Sequence, residues 1–141
     1  MKYIKHVIVP VFIGGVIYIC FRTKSLLIFD WIDYFGLTQM VDFIRNKTKY
    51  LYDYLPKQII YSFPAGLWLY SFISFNILIW QRSNNRIKYF WIILPLVISI
   101  FSEVLQFFNL INGTYSNLDI CFYIFFSILA YYKLGLKNGE K

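Results

Sequence analysis

The most demanding side chain in this 141-residue sequence is Glu103, set in Ser102-Glu103-Val104-Leu105-Gln106-Phe107-Phe108. It falls inside an apolar run, roughly five residues from its end, or about 7.5 Å along a helix. A carboxylate at that depth in hydrocarbon is expensive unless it is neutral, paired or turned toward a polar cavity. Gln106 follows three residues later and projects from the same helical face. Asp119 opens the next apolar run, after Gly113-Thr114-Tyr115-Ser116-Asn117-Leu118. Its position also suits an acid in a first helical turn, where the helix dipole favours negative charge. Only the segment 109–117 separates the two runs, so the two carboxyl groups can approach each other.

Three kinds of chemistry fit this cluster. It can be a buried polar clasp, with Glu103 protonated or hydrogen-bonded to Gln106 and to Asn112 or Thr114. It can be a pocket offering acceptors to a polar headgroup or a glycosylated ligand. It can be an acid–base pair whose environments push two carboxyl pKa values apart. The third lacks companions: no His or Cys is placed for a nucleophile–base pair, and Ser102 points from a different helix face than Glu103. No residue is therefore assigned as catalytic. The preceding stretch Pro64-Ala65-Gly66-Leu67-Trp68-Leu69-Tyr70-Ser71 adds Trp68 and Ser71, three apart, which can face the same pocket. Equally, Trp68 can be packed and Ser71 bonded to its own helix carbonyl. The candidate ligand-binding set is Glu103, Gln106, Asp119, Trp68, Ser71 and Thr114. The sole histidine is His6 and no C-x-x-C occurs, so a Cys/His zinc site is excluded and neither metal nor cofactor is expected. Cys20 and Cys121 lie in apolar runs and read as small hydrophobes rather than a disulfide pair.

These residues need a scaffold, and the composition says which. The chain is 59% hydrophobic and 15% charged, with a mean hydropathy of +0.55. A water-soluble domain carries about 45–50% apolar and about 25% charged residues. Four mostly uncharged runs, at about 7–21, 59–80, 89–108 and 118–136, approach the ~20 residues that a helix needs to cross hydrocarbon. The expectation is one all-α integral membrane domain over 1–141. A soluble enzyme with a large core, a secreted disulfide scaffold and a fibrous rod are excluded. The first run has no small-residue cleavage site after it and reads as a retained anchor. Pro10, Gly14 and Gly15 can bend it or admit a close neighbour.

The segment 22–58 holds four acids and six bases and does not cross the bilayer. Its pattern predicts two amphipathic helices. Ser25 can cap the first and Gly36 end it, with Leu27, Ile28, Trp31, Ile32 and Phe35 on one side and Asp30 and Asp33 opposite. Thr38 can cap the second, which runs to about Tyr54 before Pro56. Both are expected to lie in the membrane interface, either covering the bundle or roofing a site. Trp80, Trp91, Tyr89, Tyr131 and Tyr132 sit near span ends, as interfacial aromatics do.

The net charge of +7 sits between apolar runs, where anionic lipid explains it better than nucleic acid. With four spans, one side carries Lys2, Lys5, Arg82, Arg86, Lys88, Lys133, Lys137 and Lys141, whereas the other has the 22–58 segment with its six bases and the 109–117 loop with none, so that the short loops differ by eight against zero. The positive-inside rule then places both termini in the cytoplasm.

At this point the motifs resemble those of a known family. Pro64-x-x-Leu67-Trp68-x-Tyr70-Ser71, Ser102-Glu103-x-x-Gln106 and Gly113-Thr114-Tyr115-x-x-x-Asp119 are similar, in order and spacing, to stretches of the VanZ-like family, named for a teicoplanin-resistance protein. The resemblance covers about residues 59–132. It implies a bacterial inner-membrane protein of the cell envelope, in a family linked to low-level glycopeptide antibiotic resistance. The chain departs from the family pattern at Ser116 (Asp), Thr114 (often Arg), Tyr123 (often Asn) and Phe126 (often Gly). The leading expectation is a pocket facing outward that binds an envelope lipid, a lipid-linked precursor or a lipophilic glycopeptide. The alternatives are a membrane enzyme acting on a headgroup through Glu103 and Asp119, and a small subunit or homo-oligomer bound to another membrane protein.

Overall fold

The computed structural model describes residues 1–83 and 86–135. The expected last residue of the fourth run, Leu136, and the bases Lys137 and Lys141 lie outside the described residues. Among the described residues the chain is all helix and loop, with no strand. In chain order the helices are α1 (Ile4–Phe21), α2 (Leu27–Tyr34), α3 (Thr38–Thr48), α4 (Lys57–Tyr61), α5 (Phe63–Arg82), α6 (Ile87–Phe107) and α7 (Asn117–Gly135). Helices α1, α5, α6 and α7 are long and apolar enough to cross a membrane. The chain is thus an all-α, multi-pass membrane protein.

The second span starts four residues later than the hydropathy pattern suggests. Residues 59–61 belong to the short α4, and the chain resets at Ser62 before α5. Pro64 explains the break: it has no N–H to offer the carbonyl of Ile60, so the two pieces cannot run on as one regular helix. Pro64 instead occupies the first turn of α5, where a missing N–H costs nothing.

Helix α5 is the hub. Of its apolar window 61% is buried, against 11–22% for the other three spans. Its apolar residues run round the whole helix, because Phe72, Phe75 and Ile79 form an exposed stripe while the other faces pack on neighbouring helices. Leu67, Tyr70, Ile73 and Ile77 of α5 pack on Tyr123, Phe126, Ala130 and Leu134 of α7. In lipid such packing rests on close fit rather than on exclusion of water. Gly66 provides that fit: a Cβ there would overlap the Phe126 ring. Gly14 is buried against Trp68, whereas Gly15 faces open space. His6 Nδ1 lies 2.6 Å from the Tyr70 hydroxyl and ties α1 to α5 near the opposite end from Glu103.

Helix α6 contains Pro95, which leaves the Trp91 carbonyl without its partner from one turn ahead. Asn76 of α5 supplies the substitute, donating through Nδ2 to the Trp91 oxygen at 2.9 Å. Backbone groups in hydrocarbon have to be paired within the protein, so Pro95 and Asn76 form one unit.

The two amphipathic helices exist, with different starts and one different end. Neither Ser25 nor Thr38 is an N-cap; Leu26 and Leu37 hold those positions without side-chain capping. Thr38 instead donates to Asp33 Oδ1 at 2.8 Å. Gly36 does end α2, at φ +68, with Leu37 N–H returning to Ile32 O and Gly36 N–H to Asp33 O. That is the paired closure for which a residue at positive φ is needed. Helix α3 stops at Thr48 rather than near Tyr54, and a single 3-10 turn, Lys49–Leu51, follows. Only Phe29 of α2 and Val41 of α3 are buried; Leu27, Trp31 and Phe35 point away from the protein. Arg45 fastens α3 to the end of α1, donating from one nitrogen to Ile19 O at 2.6 Å and Arg22 O at 2.9 Å. These are terminal helix carbonyls that lack intrahelical donors, and a cation suits that end of the dipole.

Candidate functional site

The sequence places Glu103 at the last turn but one of α6, and the fold buries it to 2% exposure. Helix α6 then closes with Asn109 at φ 56, Leu110 N–H bonding to Leu105 O and Asn109 N–H to Gln106 O. This closure turns the chain back so that Ser116, the N-cap of α7, reaches Glu103. Ser116 N–H donates to Glu103 Oε2 at 3.1 Å, and the Tyr123 hydroxyl donates to Oε1 at 3.4 Å. The partners thus differ from the expected Gln106, Asn112 or Thr114.

This arrangement has a consequence for Asp119. It is the third residue of α7, from where an acid ordinarily reaches back to the N-cap amide. Glu103 already holds that amide. Asp119 Oδ1 is left shielded and without any hydrogen-bond partner. Both carboxyl groups line one cavity of about 640 Å³. That volume falls within the ~300–1,000 Å³ of small-molecule sites.

Five of the six sequence-predicted residues line this cavity: Glu103, Gln106, Asp119, Trp68 and Thr114. Gln106 lies against Gly113, whose φ of 147° and lack of a side chain let the loop pass over it. Trp68 packs its ring 5.2 Å from that of Tyr18 and donates through Nε1 to Val11 O at 3.4 Å. Ser71 is not brought to the cavity. It is 2% exposed and donates to Leu67 O at 3.0 Å, one turn back in its own helix. Ser102 likewise bonds its own helix, at Ser99 O.

The structure adds residues the pattern reading did not single out. Tyr123 provides a hydroxyl to Glu103. Ser116 acts through its backbone N–H, for which the side chain is irrelevant. A cation also enters, as Arg22 at the end of α1 lines the same cavity. Its guanidinium sits 5.2 Å from the Tyr18 ring centroid and 5.0 Å from that of Tyr61. Only the meeting of α1 with α4 could reveal this sandwich, because Tyr61 is far in sequence from Tyr18 and Arg22. Nearby, the Tyr52 and Tyr61 hydroxyls are 3.2 Å apart, and that hydrogen bond pushes the Tyr52 phenol above its ordinary pKa.

Among the described residues no group of three or more His, Cys, Asp or Glu side chains is disposed to hold a metal. Cys20 is a buried and Cys121 an exposed free thiol. The cavity is therefore a concave end of the bundle with two carboxyls, one guanidinium, two carboxamides and an aromatic wall. No protein-family model, curated protein or solved structure matches the chain.

Proposed function

We propose that this chain is a non-enzymatic membrane protein whose end cavity binds the polar part of a lipid-embedded ligand. Glu103 and Asp119 act as acceptors for hydroxyl or ammonium donors on that ligand. Gln106 and Thr114 add neutral hydrogen bonds, and Trp68 forms an apolar wall. The observation that carries the reading is Asp119 Oδ1, which is shielded and unpartnered beside the buried Glu103. A buried acceptor left empty costs about 1–3 kcal/mol, so its persistence favours a partner that arrives from outside.

The ligand class that fits is an envelope lipid or a lipid-linked precursor, presenting hydroxyls or amines at headgroup depth. The motifs shared with the VanZ-like family support a bacterial inner membrane and extend the class to a lipophilic glycopeptide such as teicoplanin. The positive-inside pattern supports cytoplasmic termini, which puts the cavity at the outer face with α2 and α3 lying in the interface beside it. The exposed Leu27, Trp31 and Phe35 agree with that placement.

The test is native mass spectrometry of the full chain after reconstitution in total envelope lipid and mild detergent extraction. The wild type should retain a discrete lipid mass, and Glu103→Gln and Asp119→Asn should lose it while still eluting as a single species. A wild type that emerges bare, or variants that keep the same adduct, would overturn the reading.

A further inference from the structure

A second cavity, of about 410 Å³, adjoins the first and shares Arg22 and Tyr61 with it. Its lining includes three cations, Arg22, Arg45 and Lys49, against one carboxylate, Asp53. The described residues contain one ion pair, Lys24 with Asp42 at 2.5 Å, and it is not in this cavity. Arg22 and Lys49 therefore face the cavity without a carboxylate partner. Arg22 is held between two aromatic faces, which fixes its position while leaving its N–H edge free to bond. Arg45 spends one nitrogen on the two carbonyls of α1 and stacks on Phe29 at 5.3 Å. A guanidinium has five N–H donors, so others remain for a ligand. The Tyr52 hydroxyl lies on the same wall. Arg22 directly follows the last residue of the apolar span α1, which is the depth of a headgroup.

From this we infer a phosphate-binding site, distinct from the Glu103 cavity, in which Arg22, Arg45 and Lys49 hold the phosphate of an anionic amphiphile. Fixed guanidinium groups match phosphate oxygens in geometry as well as charge. The first cavity has two carboxylates with Arg22, and the second adds Arg45 and Lys49 to that shared Arg22 against Asp53 alone, so the two sites have opposite preferences. The inference does not depend on the first cavity binding anything.

The test uses the full chain in neutral phosphatidylcholine nanodiscs, titrated with short-chain phosphatidylglycerol and, separately, with inorganic pyrophosphate. Saturable binding of the phosphatidylglycerol alone identifies a lipid headgroup as the source; equal binding of pyrophosphate identifies a free phosphate. Lys49→Ala should weaken the bound probe about fivefold, the effect of one basic residue at a membrane surface. Lys47→Ala removes the same charge from α3 outside the cavity and should change nothing. Arg22→Gln should weaken binding by more than Lys49→Ala, and Glu103→Gln should leave it intact even if that variant loses the ligand of the first cavity. Absence of saturable binding by either probe overturns the inference. So does an equal loss in Lys47→Ala and Lys49→Ala, which would mark a diffuse surface field. If Arg22→Gln does not elute as a single species, the Lys49/Lys47 comparison decides.

Discussion

Glu103 holds two donors at once, an amide from the start of α7 and a phenol about two turns further on. Removing the carboxylate strands both in a water-poor site, where each unpaired donor costs about 1–3 kcal/mol. Glu103→Ala should therefore lower the thermal midpoint in detergent clearly, as read by tryptophan fluorescence. Glu103→Gln should be nearly neutral in the same measurement. Its amide oxygen still accepts from Ser116, and its nitrogen donates to the Tyr123 oxygen once the hydroxyl rotates. Tyr123→Phe should fall between, at about 0.5–1.5 kcal/mol. An Ala variant as stable as the wild type would show that Glu103 does not organise the α6–α7 turn. The separation of Gln from Ala matters for function as well, since it distinguishes loss of charge from loss of structure.

Helix α6 carries a proline and α5 carries its remedy. The Asn76 amide and the Trp91 carbonyl are paired because Pro95 vacates that carbonyl. Asn76→Ala should cost about 0.5–1.5 kcal/mol, the range of interhelical hydrogen bonds in membranes. In Pro95→Ala the helix regains its own N–H, and the cost of Asn76→Ala should shrink toward zero. A double-mutant cycle with additive effects would show the two to be independent. The pattern reading located both residues inside spans without joining them, because the bond crosses between helices and neither residue is unusual alone. The amphipathic segment shows the converse. Gly36 ends α2 as its sequence position suggested, since positive φ is a local property. Thr38 is drawn away from capping by Asp33, and α3 stops early. Such competition between local hydrogen bonds is not resolved by residue type.

In the whole bundle, Lys2, Lys5, His6 and Lys133 line a crevice at one end, while Arg22, Gln106 and Asp119 line the cavity at the other. This is the up-and-down arrangement that puts the start of α1 and the end of α7 on one side. The short connections on that side are basic and the 109–117 loop is not. A C-terminal fluorescent-protein fusion should be bright in a bacterial host, and a C-terminal alkaline-phosphatase fusion inactive. The reverse pattern would place the Glu103 cavity on the cytoplasmic face and exclude an outward ligand. Because the two cavities share Arg22, that reversal would move both together.

Residue types alone determined the class of this protein, its four apolar helices and the chemical identity of its candidate site. Those follow from composition and period, which hydrocarbon thickness and backbone hydrogen bonding constrain directly. Glu103 and Gln106 stood out as polar residues inside an apolar run, and Asp119, Trp68 and Thr114 through their places in the stretches beside it. Tertiary structure alone decided that Ser71 turns into its own helix, that Tyr123 and the Ser116 amide complete Glu103, and that Arg22 joins two cavities. Those outcomes depend on which helix ends meet and at what distance. Packing between segments far apart in the chain sets that, and a one-dimensional pattern does not encode it locally.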